Sequence, residues 1–250
     1  MFCRGIYDKN TEIKLPNHHL SFDLARRTSS EPLLRQIVTV LISNSAISGN
    51  ILDAGCWIGD NAVFWAANHK EICYAIDPAD INLTFIHQVA QLNSLSNLVL
   101  LKCALSSKNE ILTTQDNLFH ASFVYESQVK GEVKQVQAVS LDYLFSQGLI
   151  KNLGFIHLDV EGMELKVLEG ASNLISLCRP IIAFEQHLDI DPVSECIKFL
   201  KDRGYFVFMI DEILEGCRPD CRNFLAFPGN VPEKIYREIQ SIKDTALILF

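Results

Sequence analysis

The sequence predicts an α/β fold: a mostly parallel sheet with helices on both faces and an antiparallel last strand. Three observations predict it. Short apolar runs recur at residues 50–54, 72–76, 98–103, 154–158, 180–184, 205–210 and 224–227. Helix-length amphipathic segments separate the first five, and continuous apolar strands alternating with helices indicate a parallel sheet buried on both faces. The last two runs have no convincing helix between them and read as an antiparallel pair closing the sheet edge. The length of 250 residues, with 48% hydrophobic and 21% charged residues, suits one large globular domain with small additions.

Taken in order, residues 1–30 are polar and read as irregular. Residues 31–42 then start a helix, with Pro32 in its first turn and an apolar face behind it. Helices are expected over 61–68, 81–92 and 162–177. The longer insertion at 108–140 carries β-leaning pieces at 121–124 and 133–139, and Ser140 caps a short helix after it. Near the end, Ile235, Ile239 and Ile242 share one helical face. The tail 246–250 is wholly apolar; it is expected to pack on the sheet, with a homodimer contact as the alternative. The expected organisation is a cap segment over 1–48, a sheet domain over 49–229 and a C-terminal helix and tail over 230–250.

Composition removes several function classes. Lys+Arg 22 against Asp+Glu 30 gives a net charge of −8, unlike a general nucleic-acid binder. No uninterrupted apolar run of about 18 residues occurs, so no membrane span is expected. The first residues lack an apolar signal core, and a cytoplasmic location is expected. The 8 Cys are scattered and suit reduced, buried thiols. Cys217 and Cys221 are the only close pair. No second pair with ligand spacing accompanies them, so no metal site is assigned.

An open α/β sheet places its ligand site at the carboxyl ends of its strands. The first run ends in Asp53-Ala-Gly55-Cys56-Trp57-Ile-Gly59-Asp-Asn61. Two glycines allow a tight turn and a close backbone approach, and the helix after them offers unpaired N–H groups. An acid before the first glycine would repel a pyrophosphate and welcome an ammonium, such as that of S-adenosylmethionine. A helix cap is the structural alternative for Asp53. The second run ends in Asp77-Pro78, where an acid accepts hydrogen bonds from ribose hydroxyls or makes an Asx turn. The third continues to Ala104 and Leu105, beside an adenine pocket in such a sheet or simply in the core. The fourth ends in Asp159-Val-Glu161, two acids that an extended strand would put on one side. The fifth ends in Glu185-Gln-His187, repeating that spacing.

The block Ile156-His-Leu-Asp-Val-Glu-Gly-Met-Glu-Leu-Lys-Val-Leu-Glu-Gly-Ala171, with the glycine loop and the Asp77-Pro78 step, resembles the FkbM-type S-adenosylmethionine-dependent methyltransferases. The resemblance covers about residues 50–210. It implies a class I methyltransferase sheet of seven strands, S-adenosyl-L-methionine as cofactor and methylation of a hydroxyl. Cofactor contacts are expected from Asp53, Gly55, Cys56, Trp57, Gly59, Asn61, Asp77, Pro78, Ala104, Leu105 and Asp159. Asp159, Glu161 and His187 are the candidate bases. The chain departs from the family pattern in Cys56 for Ala, Trp57 for Asn, Asp77 for Glu and His157 for Lys. Trp57 and His157 favour the rival reading, a noncatalytic cofactor-binding module. The missing third glycine disfavours a nicotinamide oxidoreductase. The expected acceptor is a neutral small molecule or glycan bearing hydroxyls. His18, His19, Phe22, Phe119, His120, Phe123 and Tyr125 lie on segments free to cover the site.

Overall fold

The computed structural model describes residues 3–7, 10–28, 31–114, 123–124, 134–212, 219–242 and 247–250. The chain opens with a hairpin, β1 (Cys3–Ile6) against β2 (Glu12–Leu15), and a helix, α1 (Leu20–Arg27). The irregular stretch expected over residues 1–30 is therefore largely ordered. Alternation in β2 turns Ile13 and Leu15 inward, where they join Leu20 and Leu24 in one cluster.

Next come α2 (Pro32–Ser43), β3 (Asn50–Ala54), α3 (Asp60–Asn68), β4 (Cys73–Ile76), α4 (Asp80–Leu92) and β5 (Leu98–Leu101). A small sheet follows, built from β6 (Ala104–Leu105), β7 (Glu110–Thr114), β8 (Phe123–Val124) and β9 (Lys134–Val139) in the order β6-β9-β7-β8. Then α5 (Leu141–Ser146) starts where predicted, the Tyr143 N–H donating to the Ser140 hydroxyl at 3.1 Å.

The remaining elements are β10 (Leu153–Leu158), α6 (Glu164–Glu169), α7 (Ser172–Cys178), β11 (Ile181–His187), α8 (Val193–Lys201), β12 (Phe206–Ile210), β13 (Cys221–Phe227), α9 (Glu233–Gln240) and β14 (Leu247–Leu249). The single helix expected over 162–177 is two. Gly170 sits at the break, where an added Cβ would lie 2.4 Å from the Ser106 carbonyl oxygen. The Asp142 carboxylate caps the second piece, accepting from the N–H groups of Asn173 and Leu174.

The main sheet has eight strands in the order β14-β12-β13-β11-β10-β3-β4-β5. From β11 across to β5 the pairs are parallel; β13 is antiparallel to both its neighbours. The expected antiparallel pair forms, β12 against β13, with β13 on the side of β11. The pair does not close the edge. The apolar tail adds an eighth strand, β14, antiparallel to β12. Alternation along the strands splits the core. Ile51, Phe155 and Ala183 face α2, α3 and α9, while Leu52, Ile156 and Ile182 face α6, α7 and α8.

Candidate functional site

β3 lies between β4 and β10, so chain order reverses there and the carboxyl ends of β3 and β10 border the crevice that such sheets use for ligands. Gly55 has φ +79, and an added Cβ would lie 1.8 Å from the Asp159 carbonyl oxygen. The loops after β3 and β10 thus meet backbone to backbone, an approach only glycine permits. Gly59 has φ +81 and packs under Ile86, whose Cγ1 would be 2.8 Å from a Cβ. Between them Trp57 holds a left-handed φ of +42. Its N–H donates to Asp77 Oδ2 at 3.1 Å. Asp77 Oδ1 accepts from the Ala79 N–H at 2.7 Å and the Asn82 amide at 3.1 Å. Burial nevertheless outweighs these bonds and pushes the Asp77 carboxyl up to about 7.

The parallel register sets His157 beside Asp53, and His157 Nδ1 meets Asp53 Oδ1 at 2.8 Å. Both side chains are 2% exposed. Burial works against the imidazolium. The hydrogen bond to Asp53 and the negative charges of Asp53, Glu31 and Asp159 win, lifting His157 to about 9. The Trp65 ring stands edge-on to the imidazole at 5.3 Å. A further buried polar cluster supports the glycine loop. Arg35 donates through Nε to Asn61 at 2.9 Å and through Nη2 to Asp60 at 3.3 Å. Its Nη1 reaches the carbonyls of Arg27 and Thr28. Glu31 accepts from Asn61 at 2.9 Å and from Asn223 at 2.8 Å. Burial opposes the Glu31 charge, but Arg35, His157 and these amides hold its carboxyl below the usual range.

Asp159 and Glu161 lie beyond the end of β10, in the turn, so the extended-strand argument for them does not hold. Asp159 is half-buried, and burial followed by the charge of Glu185 raises its carboxyl well above the ordinary range. Glu161 is exposed, with φ +55. Glu164 ties the turn together. It accepts from the Val160 N–H at 2.9 Å and from the Gln186 amide at 2.9 Å, and burial lifts it to about 7. On β11, Glu185 and His187 do point the same way, with His187 Nε2 4.0 Å from Glu185 Oε1. Asp191 Oδ2 holds His187 Nδ1 at 3.0 Å and its backbone N–H at 2.6 Å. Cys221 of β13 pairs in register with His187.

The other sequence-selected residues fall as follows. The Asn61 side chain is engaged by Arg35 and Glu31. Cys56 is fully buried, which pushes its thiol up and removes it as a nucleophile. Pro78 is half-buried at the end of β4. Ala104 and Leu105 are buried in β6, paired parallel with Ala138 and Val139. His18 stacks on His19 at 4.3 Å and packs on Phe85, while Phe22 is exposed. Phe119, His120, Tyr125 and Cys217 lie outside the described residues, as does the side chain of Phe123. Sequence reasoning missed Arg35, Glu31 and Asn223, and weighed Cys221 only with Cys217. A charged residue inside the apolar face Leu33-Leu34-Arg35-Gln-Ile37-Val38 was the one available signal.

The polar groups suit a ligand of the S-adenosylmethionine type. Asp53 Oδ2 is buried with no hydrogen-bond partner among the described residues, an acceptor matched to an ammonium. Asp77 Oδ2 keeps lone-pair capacity for a ribose hydroxyl. Against this stands the cationic His157 on the other oxygen of Asp53.

Residues 53–207 match the family of the methyltransferase FkbM domain. Among solved structures, a methyltransferase FkbM from Methylobacillus flagellatus is similar with a TM-score of 0.52 and 16% identity, over 85% of this chain and 56% of that one. An rRNA methylase from Streptococcus thermophilus is similar with a TM-score of 0.50 and 13% identity, over 79% of this chain and 95% of that one. The chain thus spans little more than half the length of the first. These likenesses show the fold, that of class I methyltransferases, with one strand beyond the seven expected. No curated protein matches the chain significantly.

Proposed function

The chain belongs to the methyltransferase FkbM domain family, and on that premise we propose that it is an S-adenosylmethionine-dependent O-methyltransferase acting on a hydroxyl of a saccharide or other small natural product. The observation that carries the reading is the half-buried carboxylate of Asp159, raised by burial and by Glu185, in the loop that touches Gly55. S-adenosylmethionine would supply an electrophilic methyl group on its sulfonium. Asp53 would receive the ammonium and Asp77 the ribose hydroxyls. A carboxylate with elevated proton affinity is suited to take the proton that an alcohol loses as it is alkylated. His187, oriented by Asp191, is the second base within the same cluster, and exposed Glu161 sits at its rim. Holding the reactants in line supplies most of the acceleration, an effect worth up to roughly 7–11 kcal/mol.

The acceptor is argued from charge: a chain of net −8 repels a polyanion at long range, which favours a neutral partner. Reaction with a methyl-labelled donor and mass spectrometry of the product tests the whole reading. Label on a hydroxyl is expected. Label confined to a protein lysine, a nucleic-acid base or a carboxylate would refute O-methylation.

One observation favours a noncatalytic cofactor-binding module instead. At neutral pH the imidazolium of His157, with its pKa of about 9, already neutralises the acid meant for the cofactor ammonium. S-adenosylhomocysteine binding with no turnover across a panel of hydroxyl acceptors would establish that second reading.

A further inference from the structure

The acid offered to a cofactor ammonium already holds a cation. Asp53 and His157 are register neighbours on β3 and β10, both fully buried, with His157 Nδ1 on Asp53 Oδ1 at 2.8 Å. Asp53 Oδ2 and His157 Nε2 are buried with no hydrogen-bond partner among the described residues. The two imidazole protons are therefore held unequally. Nδ1–H is fixed by a charge-assisted bond, whereas a proton on Nε2 has no acceptor. The ring can lose its Nε2 proton and keep the bond that orients Asp53. A second cation at Oδ2 would stand one carboxylate away from the first, and like charges in a buried site repel. On the premise that S-adenosylmethionine is the cofactor, we propose that His157 is the positioning residue of its ammonium site, and that the ammonium and the Nε2 proton of His157 compete for the charge of Asp53. Loading the cofactor breaks the Nε2–H bond and the proton goes to solvent. The neutral imidazole then keeps Asp53 in place through Nδ1–H.

The groups around His157 set the direction of the exchange. On β3 it faces Asp53, and beyond the end of β10 it feels Asp159. Glu31, at the start of α2, also acts on it, and Arg35 of α2 answers Glu31. From α3 come the uncharged Trp65 ring, edge-on at 5.3 Å, and Asp60, which is paired with Arg35. On β11 the register neighbour is Ala183, with Glu185 two residues further on. Tyr7, Cys56 and Cys73 lie near Asp53, but burial raises all three, so they stay protonated through neutral pH. Burial lowers His157, and the bond to Asp53 with the charges of Asp53, Glu31 and Asp159 outweighs it, raising His157 to about 9. The empty chain thus carries the proton at neutral pH, and an ammonium must displace it. Affinity for an ammonium-bearing ligand rises with pH below about 9, by up to about tenfold per pH unit.

The inference rests on the cofactor reading, and two ligands separate their failures. S-adenosylhomocysteine carries the ammonium; 5′-methylthioadenosine keeps the nucleoside and lacks the amino-acid end. Calorimetry of the full chain at pH 7, in buffers of different ionisation enthalpy, counts the protons released on binding. S-adenosylhomocysteine is expected to release about one proton more than 5′-methylthioadenosine. Between pH 6 and pH 8 its affinity should gain at least about tenfold over that of the nucleoside. Asp77, at the ribose in both complexes, cancels in that comparison. His157→Gln should lose the extra proton and the gain while binding 5′-methylthioadenosine as the wild type does; a structural role would weaken both ligands alike. Circular dichroism checks that the variant is folded, and should it not fold, the two-ligand comparison on the wild type decides. Equal proton counts and parallel pH slopes for the two ligands overturn the inference and leave the cofactor reading standing. The same extra proton in folded His157→Gln also overturns it. Failure of both ligands to bind from pH 6 to pH 8 removes the cofactor reading, and this inference with it.

Discussion

Replacing His157 by Gln removes a buried cation while leaving an amide near Asp53, and the structure sets the size and pH window of the effect. The His157 imidazolium is fully buried and held by Asp53 at 2.8 Å, which lifts its pKa from 6.5 to about 9. Between those values the folded chain binds a proton that the unfolded chain has lost. Stability from the pair is therefore complete below about pH 6.5 and declines as pH rises through about 9. At about 1.4 kcal/mol for each tenfold change in proton affinity, the whole decline is about 3 kcal/mol. The assay is urea denaturation of the wild type and His157→Gln at intervals from pH 6 to pH 10. Subtracting the two curves cancels groups that titrate in both, including Asp77 and Glu164. The difference should be largest near pH 6 and shrink by about 3 kcal/mol towards pH 10. A difference that stays constant, or grows with pH, would show that His157 is not a buried cation and that its partnership with Asp53 is not charged.

Other perturbations address the ligand, the turn and the tail. S-adenosylhomocysteine at 100 times its dissociation constant should stabilise the fold by about 2.7 kcal/mol; tighter binding of NADH in the same thermal assay would argue against the cofactor. Asp77→Ala should weaken that binding by about 1–3 kcal/mol, read by calorimetry on folded protein, and unchanged affinity would remove Asp77 from the ribose role. Gly55→Ala places a methyl group against the Asp159 carbonyl and should cost at least about 1–3 kcal/mol of stability; a neutral result in denaturant would mean the two loops do not touch. Deleting residues 245–250 strips β14 from β12 and should lower the melting temperature, whereas an unchanged melt would deny the strand any structural share.

The strands were legible because burial on both faces writes them as unbroken apolar runs. The glycine loop and the acids at strand ends were legible because local turn chemistry needs them. What the sequence hid depends on register across long separations. His157 and Asp53 are 104 residues apart and meet only because β10 lies beside β3. Cys221 meets His187 because β13 and not β12 lies next to β11, a choice of neighbour that local pattern does not make. The two-apart rule failed for Asp159 and Glu161 because β10 ends at Leu158, and it worked for Glu185 and His187 because β11 continues to His187. A polar residue inside an apolar run, such as His157 or Arg35, is the sequence trace of such hidden partners, since burial without a partner is costly.

The charges that make the glycine loop tenable come from outside the stretch that defines the family. Glu31 and Arg35 precede residue 53, and Asn223 follows residue 207, yet they close the hydrogen-bond chain from Asn223 through Glu31 and Asn61 to Arg35 and Asp60. Arg27 adds a second guanidinium 3.5 Å from Asp60. Removing one member of a buried ionic set strands the others, at a cost of about 3–5 kcal/mol, far more than loss of an exposed pair. The segment before β3 therefore acts as an electrostatic support for the first turn of α3 as well as a cover over one face of the sheet. A chain cut to the family-matched residues would keep Asp53, Asp60 and His157 and lose the counter-charges around them. The glycine loop and its N-terminal support are in this sense one unit, assembled by α2, α3 and β13 together.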